Sequence, residues 1–188
     1  MLDIHTMDYG SISAGPGYRV ELFTQGCDAN CPGCFSRETH AFDAGTLMTI
    51  DQIMEAISQW TDKEENRPYL TVCGGEPLAQ VEGVIELCEA FKEKYGRLSH
   101  IIVYTGYELD EAKELPEWRR LRKTIDGLVV GRFIKKQRFK MTGRKFIGSS
   151  NQRYVDLRSG KDLIYAAEAA NWVAEDKKLW PTLGISST

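Results

Sequence analysis

The chain has 188 residues, of which 42% are hydrophobic and 27% charged, the balance of a single globular domain with room for a small appendage. Its formal net charge of −3, from 24 basic and 27 acidic residues, excludes the strongly basic signature of a nucleic-acid binder. No window approaches the roughly 18 consecutive apolar residues of a membrane span. Residues 1–10 lack the basic start and apolar run of a leader, so the chain reads as soluble and cytoplasmic.

In chain order, Tyr18–Gln25 (YRVELFTQ) alternates and is rich in strand formers, which predicts the first strand. It runs straight into a loop, CDANCPGCF, that carries Cys27, Cys31 and Cys34. Thr49 with Gln52 forms a capping-box pattern, and Ile50, Ile53, Met54 and Ile57 follow at helical spacing. Tyr69–Cys73 is a short apolar run ending in Gly74-Gly75, as expected of a buried parallel strand and its exit turn. Val81, Val84, Ile85, Cys88 and Phe91 make the buried stripe of a helix that stops near Gly96. His100–Thr105 is a further strand, and a helical stretch over 108–124 is interrupted at Pro116. Gly127–Phe133 and Arg153–Leu157 complete the strands. The β-then-α rhythm predicts an α/β fold, an incomplete β/α barrel with a mostly parallel sheet over residues 1–160. A ligand site in such a fold lies beyond the C-terminal strand ends. The cysteine loop, the Gly74–Pro77 turn and Thr105–Tyr107 all fall there. Residues 161–188 are Ala-rich and predict a helical extension that packs on the domain or meets a partner.

Five cysteines with three clustered do not suit a disulfide framework and point to metal. Pro32-Gly33 between Cys31 and Cys34 favours a turn that wraps the sulfurs around one inorganic centre. A four-iron cluster takes thiolate ligands, usually four, and a structural zinc site is closed by four ligands. Asp28, His40, Cys73 and Cys88 are the candidates for a fourth ligand. Cys88 on the helix stripe reads as a core thiol, Cys73 as a packed strand residue, and a Cys₃His zinc site with His40 stays open. The alternative is one iron left free for a small molecule.

The spacing of Cys27, Cys31 and Cys34, with Phe35 behind them, resembles the cluster motif of radical S-adenosylmethionine enzymes. The segments GPGYRVELFTQGC (15–27), CPGCFSRETH (31–40), GGEPL (74–78), YTGYELDE (104–111), DGLVVGRF (126–133) and GSSNQR (148–153) resemble, in order, the activating proteins of anaerobic (class III) ribonucleotide reductases. The resemblance implies a [4Fe–4S] cluster on the three thiolates, with the open iron binding S-adenosylmethionine. One electron then cleaves this cosubstrate to a 5′-deoxyadenosyl radical, which takes hydrogen from a glycine of the large reductase subunit. It implies as cosubstrate-binding residues Phe35, Gly74, Gly75, Glu76, Pro77, Thr105, Ser149, Asn151 and Gln152. A separate electron donor such as flavodoxin is implied as well.

Each motif also has a plainer reading. GGEP is equally a βα turn in which a proline starts a helix, Tyr104-Thr105-Gly106 a bare strand end, GSSNQR a Ser or Asx turn. The basic run Arg132–Arg144 reads as a solvated face or a seat for the partner or the electron donor. If the Gly74–Pro77 turn serves only the cosubstrate, disturbing it spares the iron. Ala29 stands where the resembled family often has histidine, and Val130 where it has an acid. Two further functions stay in view: a radical S-adenosylmethionine enzyme for a small molecule, similar to 7-carboxy-7-deazaguanine synthase, and a zinc module without chemistry.

Overall fold

The computed structural model describes residues 1–63, 66–139 and 146–160, and the backbone of Leu163–Ala166. Eight strands, β1 (Leu2–Ser11), β2 (Arg19–Thr24), β3 (Thr46–Met48), β4 (Tyr69–Gly74), β5 (His100–Tyr104), β6 (Gly127–Val130), β7 (Arg153–Asp156) and β8 (Leu163–Ala166), form one sheet in the order β3-β1-β2-β4-β5-β6-β7-β8. Strands β2, β4, β5 and β6 are mutually parallel. The pairings at both edges are antiparallel. The molecule is therefore α/β, as expected, with a mixed sheet that is parallel through its centre and stays open rather than closing into a barrel.

Two of the strands missing from the sequence reading, β1 and β3, lie at the N-terminal edge. In β1, polar His5, Thr6 and Asp8 interrupt the apolar run, and β3 is three residues long. At the other edge, Leu163–Ala166 heads the segment expected to be helical but forms β8. Its LIYA sequence is β-branched and aromatic at its centre, and β7 offers it an open edge. The rest of 161–188 lies outside the described residues.

Helices α1 (Ile50–Thr61), α2 (Val81–Tyr95), α3 (Leu109–Lys113) and α4 (Trp118–Thr124) provide the apolar cover. The Thr49–Gln52 capping box is formed, and Ile53 and Ile57 are buried from α1. Helix α2 buries Val84, Ile85, Leu87, Cys88 and Phe91. These meet Val20, Leu22, Leu70, Val72, Ile101 and Val103 of the sheet in one core. Full burial of each such side chain contributes about 1.5–3 kcal/mol.

Side chains one residue out of phase point to the other face. There Ile102, Val129 and Tyr154 pack with Phe146 and Ile147 in a second, smaller cluster. Loops cover this inner face. The Thr71 hydroxyl donates to the Ala14 carbonyl (2.9 Å), an Arg19 Nη donates to the Pro16 carbonyl (2.7 Å), and the Tyr104 hydroxyl donates to the Phe146 carbonyl (2.5 Å).

A candidate iron–sulfur and cosubstrate site

The exits of β2 and β4 lie against each other. Gly75 N–H donates to the Thr24 carbonyl (2.9 Å), Glu76 N–H to the Gly26 carbonyl (2.8 Å), and Cys27 N–H to the His40 carbonyl (3.0 Å). A Cβ at Gly75 would run into the Gly26 carbonyl oxygen, and one at Gly74 would stand 2.7 Å from the Thr24 nitrogen. Gly74 also holds φ = 101°, which L side chains rarely adopt. Backbone packing on backbone thus demands these two glycines.

Beyond the exits opens a cavity of about 490 Å³ that Cys27, Cys31 and Cys34 all line. The three thiols are free and half-buried. Cys34 N–H donates to the Cys31 carbonyl (3.0 Å), closing the Pro32-Gly33 turn, and Ser36 N–H points at Cys34 Sγ (3.4 Å). Burial raises the Cys27 thiol, with the neighbouring carboxylate of Glu76 adding to it. Among the described residues no three His, Cys, Asp or Glu side chains converge closely enough to hold a single metal ion. A zinc ion needs such convergence, with ligands about 2.0–2.3 Å from one centre. A four-iron cluster does not, because each thiolate takes its own iron. Three free thiols lining one open cavity fit a four-iron cluster. Cys88 is sealed in the helix-side core, where burial pushes it up to about 12. Asp28 is exposed, whereas Cys73 and His40 line the cavity.

Of the residues named from sequence, Phe35, Gly74, Gly75, Glu76, Thr105 and Gln152 line the same cavity. Glu76 is 3% exposed and fully engaged. Its Oε1 accepts from Leu78 N–H and the Thr105 hydroxyl (both 2.9 Å), and its Oε2 from Gly106 N–H (2.7 Å). Desolvation raises its pKa in spite of those donors. It ties the β4 exit to the β5 exit. Pro77 is buried and starts a short 3₁₀ turn. Ser149 and Asn151 stand outside the cavity lining. The Ser149 hydroxyl receives Ile134 N–H (3.2 Å), Asn151 Nδ2 donates to the Arg132 carbonyl (2.8 Å), and Gln152 Nε2 to the Gly131 carbonyl (2.9 Å). The segment is a clasp on residues 131–134. Val130 faces the helix-side core, and Ala29 lines the cavity.

The sequence reading gave no role to Glu21 and Phe23 on the inner face of the cavity and read Cys73 there as packing, and it did not single out Phe133 at the rim. Phe35 stacks edge-on to Phe133 at 4.9 Å and lies 4.5 Å under the Arg138 guanidinium. The signal for the former was present: in YRVELFTQ the polar Arg19 and Glu21 alternate with Val20 and Leu22.

Residues 13–155 match the model of a 4Fe-4S single cluster domain. The chain is 33% identical over 147 residues to the anaerobic ribonucleoside-triphosphate reductase-activating protein of Escherichia coli, spanning 77% of this chain and 92% of that one. The chain belongs to this family. Its counterpart in Haemophilus influenzae is 35% identical over 65% of this chain and 79% of its own length. That of Enterobacteria phage T4 is 32% identical over 74% and 84%. The cavity with its three thiols lies wholly inside the region matched by the domain model. Among the described residues no helix is long and apolar enough to cross a membrane.

Proposed function

We propose that this chain activates an anaerobic ribonucleotide reductase by removing a hydrogen atom from a glycine of its large subunit. Cys27, Cys31 and Cys34 hold one [4Fe–4S] cluster, and the sheet serves as the partial barrel of the radical S-adenosylmethionine enzymes. When bound, the cluster and S-adenosylmethionine supply one electron and a carbon-centred radical. The chain's own residues do the positioning. The packed exits of β2 and β4 fix the cysteine loop beside the Gly74–Glu76 turn. Glu76, spent on protein donors, holds Thr105 and Gly106 at the rim, so the ligand meets the backbone of both turns. Phe35, with Phe133 and Arg138, closes one side against water. An electron donor of the flavodoxin kind has the exposed cations of residues 132–138 beside the cysteine loop as its approach.

The observation that carries this reading is the convergence of three half-buried thiols on a cavity shared with the strand-exit turns. The test is an anaerobic mixture of reduced protein, S-adenosylmethionine and the cognate reductase, followed by electron paramagnetic resonance. We expect a glycyl doublet that collapses when the reductase carries α-deuterated glycine. Cosubstrate cleavage with no protein radical and a modified small molecule would overturn the reading.

A further inference from the structure

Several polar side chains on the inner face of the sheet are consumed in holding the covering loops or one another. Arg19 is wholly buried, and its guanidinium donates to the carbonyls of Pro16, Leu70 and His100 and to the Thr71 hydroxyl. Thr71 passes its own hydroxyl hydrogen to Ala14, and Tyr104 gives its hydrogen to Phe146. The Cys73 thiol donates to the Glu21 carboxylate. Glu21 is different. It is 9% exposed and lines the cavity. Its Oε2 accepts from the Ser11 hydroxyl at 2.6 Å. Among the described residues its Oε1 receives only the Cys73 thiol at 3.5 Å, a weak donor. A carboxylate removed from water needs donors on both oxygens, and an incomplete set is costly. Oε1 is therefore a strong acceptor waiting for a donor from whatever enters the cavity.

Position and charge narrow the donor. Glu21 lies three residues below the end of β2, roughly 10 Å beneath the exit turns at about 3.3 Å per residue. About three residues of extended polypeptide cover that distance. A cation is already near it: Arg19 sits two residues away on the same face of β2 and, although burial lowers it to about 10, stays protonated at neutral pH. The cross-strand partner Asp8 is exposed to water and screened. A second buried cation would leave an excess, whereas a neutral N–H completes the shell.

We infer that Glu21 is a substrate-positioning residue whose Oε1 accepts a backbone N–H from the polypeptide segment that brings the target glycine into the cavity. This rests on the proposed glycyl-activating function and adds to it a residue that reads the incoming chain. Ser11 orients the carboxylate, and Phe23 and Phe146 wall the space around it.

The test measures binding of a fluorescent synthetic peptide spanning the glycine-bearing C-terminal loop of the cognate reductase, by anisotropy, to the cluster-loaded protein. Losing a hydrogen bond to a charged acceptor should weaken the peptide's Kd about tenfold in Glu21→Ala. It should raise KM for the intact reductase by a similar factor, with iron content unchanged. Glu21→Gln keeps a carbonyl acceptor and should stay within about threefold of wild type. Should the alanine variant not fold, Glu21→Asp withdraws the acceptor by one methylene and must show the same weakening. Wild-type affinity in Glu21→Ala or Glu21→Asp overturns the inference while leaving the proposed function intact. Equal loss in Gln and Ala means that the donor is a cation, and lost affinity for S-adenosylmethionine assigns Glu21 to the cosubstrate; either result overturns it. A wild-type protein that forms no glycyl radical brings down both readings.

Discussion

His100 stands at the start of β5 with its ring enclosed, edge-on to Tyr69 at 5.7 Å and 3.4 Å from an Arg19 guanidinium nitrogen. Burial first, then the charges of Arg19, Arg158 and Lys92, hold its pKa well below the ordinary 6.5. The folded chain therefore keeps the ring neutral where the unfolded chain takes up a proton. Stability is present above the unfolded pKa and is lost as pH falls below about 6.5. Between pH 7.5 and 5.5 the wild type should lose up to about 1.4 kcal/mol per pH unit more than His100→Gln, read from urea midpoints. Parallel losses in the two proteins would mean that the folded state accommodates the charged ring. The sequence showed a histidine opening an apolar strand. Its neighbour Arg19 comes from a strand that is distant in sequence, so the electrostatics were invisible there.

Among the elements, the cysteine loop and the Gly74–Glu76 turn make the sharpest comparison. Replacing Cys27, Cys31 or Cys34 by alanine should each abolish iron binding in anaerobic reconstitution. Cys88→Ala should keep the iron and cost about 1–2 kcal/mol from the small cavity it leaves. Gly75→Ala separates two expectations. From sequence, a turn serving the cosubstrate alone is disturbed without loss of iron. In the structure the new methyl meets the Gly26 carbonyl next to Cys27, so iron and cosubstrate affinity should fall together, as iron analysis and equilibrium dialysis would report. Iron retained at the wild-type level would show that the β2 exit yields without moving Cys27. The glycines were legible as special. That another backbone also constrains them was not.

At the scale of the molecule the two faces of the sheet are built differently: helices seal one, and loops tied by single hydrogen bonds cover the other. Tyr104→Phe removes the donor to the Phe146 carbonyl and should destabilise the protein by about 1–3 kcal/mol, visible as a lower denaturant midpoint with unchanged slope. No change would mean that water or another donor replaces the hydroxyl. Sequence periodicity gave away the helix-sealed face, since Ile53, Ile57, Val84, Ile85 and Phe91 repeat with the helical turn and Val20, Leu22, Leu70 and Val72 with the strand. It did not give away the looped face. There Glu21, Cys73 and Tyr104 come from three strands, and nothing local marks them as neighbours. The residues of GSSNQ were legible as polar and turn-forming, but their hydrogen bonds go to Gly131–Ile134, which only the folded chain brings near.

The contact between Gly26 and Gly75 has a consequence for genetics. Two motifs almost fifty residues apart in sequence share one wall, so substitutions in them will not act independently. A damaging change beside Cys27 is open to compensation beside Gly75, and a chimera that imports one motif from a distant relative without the other will fail although each half is intact. The unit of inheritance at this site is the pair of turns.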